Sequence, residues 1–231
     1  MQSRILAVTV SNSYCLYCVV YMSNQQGILY VVATPIGNLD DLSPRACQIL
    51  ASVDRIAAED TRHSRPLLNH YGIKKPMISF HEHNEREQVD KLMQKLCDGE
   101  SIALISDAGT PLISDPGFHL VGAAHREGIS VVSVPGPSAL IAALSVSGLP
   151  TDRFLFEGFL PSRSSQRKEY LRQLVDETCT LVFYESCHRI VASINDMLEI
   201  FGEDREAVIV RELTKKFETV KAGNFQALST W

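Results

Sequence analysis

Residues Ile102–Gly117 read IALISDAGTPLISDPG. The first four, Ile102–Ile105, form a fully apolar run, as expected of a strand buried on both faces. The run breaks at once into a long loop, Ser106–Gly117, rich in glycine and proline and carrying Asp107 and Asp115. The same order recurs on either side. Upstream, the β-rich run Ile28–Ala33 leads into Thr34-Pro35-Ile36-Gly37-Asn38-Leu39. Downstream, Ile129–Val134 leads into Pro135-Gly136-Pro137-Ser138-Ala139. Glycine lets a backbone approach a ligand and proline stiffens it. In an open α/β sheet the ligand lies outside the carboxyl ends of the strands, where all three loops fall. One such loop reads as an ordinary βα turn; three at one edge point to a ligand cleft.

The rest of the chain fits this pattern. Ser43-Pro44 places a capping side chain before a proline at the first helical position, opening a helix to about Ala51. Val53–Ala58 reads as a strand, Thr61–His70 as a helix and Met77–Phe80 as a strand. Asn84–Leu96 has apolar residues at helical spacing, with Gly99 just beyond it. Phe118–Arg126 and Ser138–Val146 read as helices closed by Gly128 and Gly148. Strands alternating with helices indicate a mainly parallel sheet covered on both faces. The turn-rich stretch Ser147–Asp152 marks a boundary, giving domains 27–148 and 149–231. In the second, strands are expected at Phe154–Glu157, Leu181–Tyr184, Ala207–Val210 and Phe217–Lys221. Helices are expected at Gln166–Glu177 and His188–Phe201. The fold class is α/β, as two small domains with a cleft between them, the second incomplete at its end.

The chain has 231 residues, 45% of them apolar and 21% charged, enough for a sizeable core. Its net charge of -5 does not advertise nucleic-acid binding, so an RNA partner would be met by a local basic patch, by shape or by a ribosomal surface. The six cysteines are scattered; reduced thiols in a cytoplasmic protein are the natural reading. Cys15 and Cys18 form a CxxC without a second ligand pair, so no metal is expected there. Residues Ile5–Met22 are apolar-rich, but Ser11, Asn12 and Ser13 interrupt them and no small-residue cleavage site follows. That suits neither a secretory signal nor a membrane span. Residues 1–26 are expected to be a poorly ordered extension.

No G-x-x-x-x-G-K-[ST] and no G-x-G-x-x-G after a strand is present, which argues against a P-loop nucleotide or a Rossmann dinucleotide. Acidic loops suit a ligand bearing hydroxyls and positive charge. S-adenosyl-L-methionine (SAM), with its ribose, ammonium and sulfonium, fits. Six runs then become specific: Tyr30–Leu39 (YVVATPIGNL), Ala57–Arg62 (AAEDTR), Ser106–Gly117, Val134–Ala139 (VPGPSA), Phe183–Arg189 (FYESCHR) and Arg211–Lys215 (RELTK). In this order they resemble the 16S ribosomal RNA cytidine 2′-O-methyltransferases of the tetrapyrrole-methylase class, from about Gly27 to Trp231. The resemblance implies a SAM-dependent, cytoplasmic homodimer acting on 16S rRNA in the small ribosomal subunit, here C-terminally shortened. It places the SAM pocket at Pro35, Asp107, Gly109, Thr110, Pro111, Ile113, Ser138 and Ala139, with Tyr184, Glu185, Arg211 and Glu212 from the second domain. Asp107 and Asp115 each read equally as turn caps.

A ribose hydroxyl needs a base to take its proton. Candidates are Glu59 and Asp60, with Glu82, Glu85, His81, His83 and His188 behind them. Asp60-Thr61 reads equally as a helix cap. His81 and His83 alternate on what reads as an extended segment. Arg62 and Arg65, one helical turn apart, are candidate phosphate contacts; His63, Lys74, Lys75, Arg163, Arg167 and Lys168 are further basic positions. A porphyrinoid methylase and a non-catalytic SAM- or ribosome-binding module are the rival readings.

Overall fold

The computed structural model describes residues 26–231. The Cys15–Cys18 pair and nearly all of the expected extension lie outside the described residues. The first half alternates strands β1 (Ile28–Val32), β2 (Arg55–Ala58), β3 (Met77–Ser79), β4 (Ile102–Ile105) and β5 (Ser130–Val134) with helices α1 (Pro44–Ser52), α2 (Thr61–His70), α3 (Glu85–Cys97), α4 (Phe118–Arg126) and α5 (Ala139–Ser147). The strands form one parallel sheet in the order β3-β2-β4-β1-β5. β4 shows why the apolar run reads as a central strand. Ile102 and Leu104 face one core, with Leu92 and Leu96 of α3 and Leu120 of α4. Ala103 and Ile105 face the other, with Leu50 of α1 and Leu68 of α2. Every residue of β4 is buried, so neither face tolerates a polar side chain.

The order of strands sets the ligand edge. From β1 the chain crosses by α1 to β2 on one side; from β4 it crosses by α4 to β5 on the other. β1 and β4 are neighbours, and the connections that follow them leave to opposite faces of the sheet, α1 to one core and α4 to the other, which opens a crevice at their carboxyl ends.

The second half contains β6 (Phe154–Phe159), α6 (Ser164–Arg172), β7 (Thr180–Tyr184), α7 (Ile190–Phe201), β8 (Glu206–Arg211), β9 (Thr219–Asn224) and α8 (Phe225–Ser229). β6 pairs with β7 in parallel, and β8 with β9 as an antiparallel hairpin. Their core is Leu160, Leu171, Ile194, Met197 and Phe225. Here the expected boundaries move. α6 stops at Arg172 because the backbone tightens into i,i+3 bonds, Leu174 N–H to Leu171 O (3.0 Å) and Glu177 N–H to Leu174 O (3.2 Å). α8 is an addition to the expected elements; Asn224 caps it, accepting from Ala227 N–H at 2.9 Å.

Arg167 is not a phosphate contact. It is 2% exposed, and its Nε donates to Asp196 Oδ2 at 2.8 Å. Its Nη1 donates to the carbonyls of Pro161 and Ser162, both at 3.2 Å. The guanidinium therefore fixes the β6–α6 connection to α7. His81 and His83 do not lie on an extended segment either. They sit in a turn that Asn84 closes, its Oδ1 accepting from His81 N–H at 2.8 Å and its N–H donating to His81 O at 3.0 Å.

Candidate functional site

The two loops flanking the crevice are stitched together by backbone. Thr34 N–H donates to Gly109 O at 2.8 Å, and Gly109 N–H returns to Thr34 O at 3.0 Å. Gly109 has φ +85°, a left-handed conformation that favours glycine, while a Cβ there would stand at contact distance, 3.4 Å, from Ile36 Cγ2. The third loop joins through Thr110 Oγ1, which donates to Pro137 O at 3.0 Å. Further along the long loop, Leu112 (φ +74°) and Ser114 (φ +66°) hold left-handed conformations unusual for side-chain-bearing residues. These loops wall one side of a cavity of about 1060 Å³; β7, β8 and α7 wall the other.

The sheet side of this cavity carries Glu59, at the end of β2, with Asp107 and Asp115 of the long loop. Burial pushes the Glu59 carboxyl above its ordinary value, and Asp115 and Asp107 push it further. Burial likewise raises Asp115, a Ser106 hydrogen bond partly offsetting it. Asp107 Oδ1 accepts from Asp60 N–H at 3.0 Å, so it ties the long loop to the β2–α2 connection rather than capping its own turn, while the residue still faces the cavity. Among the described residues none of these three carboxylates forms an ion pair. Uncompensated negative charge in a partly desolvated cleft suits a cationic ligand.

Across the cleft, Tyr184 Oη accepts from Leu140 N–H at 3.1 Å. It thereby supplies a partner to the first turn of α5, where Ser138 makes no side-chain cap bond. Burial raises the Tyr184 phenol above its ordinary value, so it stays protonated and keeps its O–H to donate.

Of the anticipated residues, Glu59, Asp107, Gly109, Thr110, Ile113, Ser138, Ala139, Tyr184 and Glu185 line this one cavity. Pro35 and Pro111 do not line it; their neighbours Ile36 and Thr110 do. Arg211 and Glu212 line a smaller adjoining cavity of about 560 Å³, and Arg211 stacks over the Trp231 ring at 5.5 Å. Glu185 faces the cleft but is already saturated. Its Oε1 accepts from Ser186 N–H and pairs with Arg189, both at 2.7 Å, and its Oε2 accepts from Ser193 Oγ at 2.5 Å.

Asp60 lies outside the cavity. It caps α2, accepting from Arg62 N–H at 2.8 Å, and pairs with the Arg62 guanidinium at 3.0 Å. The Arg62 hydrogen bonds lower its carboxyl to about 2. A carboxylate so strongly held is a poor proton acceptor, and the cap reading wins over the base reading. Arg62 and Arg65 are exposed on the first turns of α2, with Arg62 engaged by Asp60. Glu85 is buried and bonded to backbone, which removes it from the candidate bases. Arg153 and Arg205 also line the cavity, from turns in the second half; they carry no motif signal and so escape a reading of the sequence. Among the described residues no three His, Cys, Asp or Glu side chains converge as metal ligands would, and no helix is long and apolar enough to cross a membrane.

The sequence profile of the Tetrapyrrole (Corrin/Porphyrin) Methylases matches residues 28–229. The chain is 56% identical over 205 residues to the Ribosomal RNA small subunit methyltransferase I of Pseudomonas aeruginosa, spanning 89% of this chain and 73% of that one. It is 55% identical over 210 residues to the protein of the same name in Haemophilus influenzae, spanning 91% and 74%. Among solved structures, diphthine synthase superposes with a TM-score of 0.71 at 16% identity, covering 89% of this chain and 85% of that one. The cobalamin biosynthetic enzyme cobalt precorrin-4 methyltransferase gives 0.62 at 17%, covering 92% and 91%. At such identities the superpositions speak for the fold alone. With the profile spanning both halves of the cleft, and relatives more than half identical over most of its length, the chain belongs to the Tetrapyrrole (Corrin/Porphyrin) Methylases.

Proposed function

We propose that this protein transfers a methyl group from SAM to the 2′-hydroxyl of a cytidine in 16S ribosomal RNA of the small subunit. The observation that carries the reading is that every residue lining the cavity lies within the profile match, in a chain more than half identical to relatives named for small-subunit rRNA methylation. The donor set fits the cofactor. Glu59, Asp107 and Asp115 offer negative charge without a cation, the Gly109–Thr110 backbone offers close approach, and Tyr184 offers a protonated hydroxyl.

When bound, SAM supplies a methyl group on a sulfonium that already leaves well. The protein's own work is positioning, which contributes on the order of 7–11 kcal/mol to such transfers, and removal of the hydroxyl proton. Glu59 is the base in this reading. It faces the cavity, and burial beside two carboxylates makes it a stronger proton acceptor than an ordinary glutamate. Arg62 and Arg65, exposed beside the β2 edge, would take neighbouring phosphates and set the register of the RNA. We further infer two domains meeting near residue 148, a homodimer and a cytoplasmic location. Light scattering should give twice the 25.6 kDa chain mass at micromolar concentration.

The test is methyl transfer from labelled SAM offered in parallel to isolated small ribosomal subunits, free 16S rRNA and a porphyrinoid. Nuclease digestion and mass spectrometry then locate the label. The expected product is 2′-O-methylcytidine, with small subunits the preferred acceptor. Label in the porphyrinoid, or on a base rather than a ribose, would replace this reading.

A further inference from the structure

We propose that Glu85 is a positioning residue for the Ser106–Gly117 loop, fixing it in the shape that receives SAM; the proposal rests on the cofactor reading above. Glu85 opens α3 and is only 8% exposed, yet among the described residues it forms no ion pair. A buried charge persists only if something else satisfies it. Here two helix starts do so. Glu85 lies in the first turn of its own helix, and its Oε1 accepts from Gly117 N–H at 3.1 Å and His119 N–H at 3.2 Å, the first amides of α4. α4 has no capping side chain of its own, because its N-cap residue is Gly117. The cap comes from another helix instead.

What the carboxylate holds is the downstream end of the long loop. The upstream end is tied by the Thr34–Gly109 bridge and by Thr110 to Pro137. Between the two ties stand Leu112 and Ser114 in left-handed conformations, then Gly117 at φ +133°. Such backbone persists where its surroundings over-determine it. Ile113, Ser114 and Asp115, all lining the cavity, fall inside this span. Glu85 does not line the cavity. Its influence must therefore pass through the loop, reaching cofactor affinity and leaving the RNA step alone.

The experiment compares Glu85→Ala, which removes the acceptor, with Glu85→Gln, which keeps an acceptor oxygen and removes the charge. SAM binding is read by calorimetry below the melting temperature of each variant, beside steady-state methylation. Amide hydrogen exchange across residues 106–119 is followed without ligand. Glu85→Ala should weaken SAM binding and raise its KM about tenfold, with the KM for RNA, and kcat at saturating SAM, within about threefold of wild type. Glu85→Gln should restore most of the affinity, and exchange should quicken between Thr110 and His119 in the alanine variant only. If the alanine variant does not fold, Glu85→Asp, one methylene too short for both amides, carries the same comparison. Unchanged SAM affinity with a merely lowered melting temperature would make Glu85 a stabilising residue only and overturn the proposal. Should wild type fail to bind SAM, the cofactor reading falls, and the proposal with it; faster exchange in the alanine variant would then mark Glu85 as an anchor of the loop alone.

Discussion

The two halves of this protein hold their walls of the cleft by different chemistry. In the first half the walls are loops at the ends of parallel strands, tied, among the described residues, without ion pairs: by main-chain bonds such as Thr34–Gly109, by side chains bonded to backbone such as Thr110 and Glu85, and by glycines that allow the approach. In the second half they are held by charged side chains. Arg167 ties Asp196 to the carbonyls of Pro161 and Ser162, and Glu185 gathers Ser186, Arg189 and Ser193. Backbone stitching leaves the side chains of the first half free to meet a ligand, and three carboxylates there stand without a cation. In the second half much of the polar functionality is consumed by the scaffold. The difference predicts where a substitution costs stability and where it costs chemistry.

The largest stability effect should fall in the second half. Arg167→Met takes from the buried Asp196 its closest cationic partner and leaves it Lys168 at 3.6 Å and Ser164 at 3.0 Å, so the loss should lie at the lower end for a broken buried pair, about 3 kcal/mol. Chemical denaturation should show that loss, and the double variant Arg167→Met with Asp196→Leu should recover most of it. If the single variant melts like wild type, the side chains are not what holds the second half.

Next comes an effect on chemistry in the first half. Glu59→Gln should lower single-turnover methylation about a hundredfold, with melting at pH 7 unchanged or slightly raised, because burial beside Asp115 and Asp107 disfavours the Glu59 charge. Asp60→Asn should do the reverse, keeping a capping oxygen but losing the charge that pairs with Arg62, so that melting falls slightly while turnover stays near wild type. Equal losses of turnover in both would return Asp60 to the candidate bases.

A smaller effect separates the two carboxylates by pH. Asp60 is lowered in the folded state, to about 2, so its contribution to stability is present above the ordinary carboxylate range and fades as pH falls through that value. Asp115 is raised by burial, so its contribution is full at low pH and is lost as pH rises through its folded value. Asp115→Asn should therefore raise the melting temperature at pH 7, by roughly 1–3 °C, and leave it unchanged near pH 3. Asp60→Asn should lower it at pH 7, with the deficit vanishing near pH 2. Profiles of the same sign would break the contrast.

The same division explains what the sequence alone made legible. The parallel sheet and its ligand edge could be read because an apolar strand such as Ile102–Ile105, buried on both faces, leaves an unmistakable run, and because left-handed backbone and close approach demand glycine at Gly109 and Gly117. Arg167 reads as a surface cation because a buried guanidinium and a solvated one look alike when the partner, Asp196, lies 29 residues away. Arg211 and Glu212 group with the main cavity because their motif adjoins it, whereas the β8–β9 hairpin turns them to the smaller one. Left-handed Leu112 and Ser114 give no warning, since nothing in a leucine or a serine signals such a conformation. Glu85 reads as a free carboxylate because its partners are backbone amides of a distant helix.

The central claim is that the stitched loops of the first half form the SAM site. It is tested most directly by calorimetric titration of SAM into wild type, Gly109→Val and Gly128→Val. Gly109 and Gly128 have similar left-handed φ, +85° and +71°, so both substitutions strain the backbone alike. Gly128 closes α4 ahead of β5, away from the loops, and a Cβ added there would meet nothing within 4 Å, whereas a Cβ at Gly109 would touch Ile36, which lines the cleft. Wild type and Gly128→Val should bind SAM with micromolar or tighter affinity, and Gly109→Val at least about tenfold more weakly. Equal affinity in all three would contradict the claim.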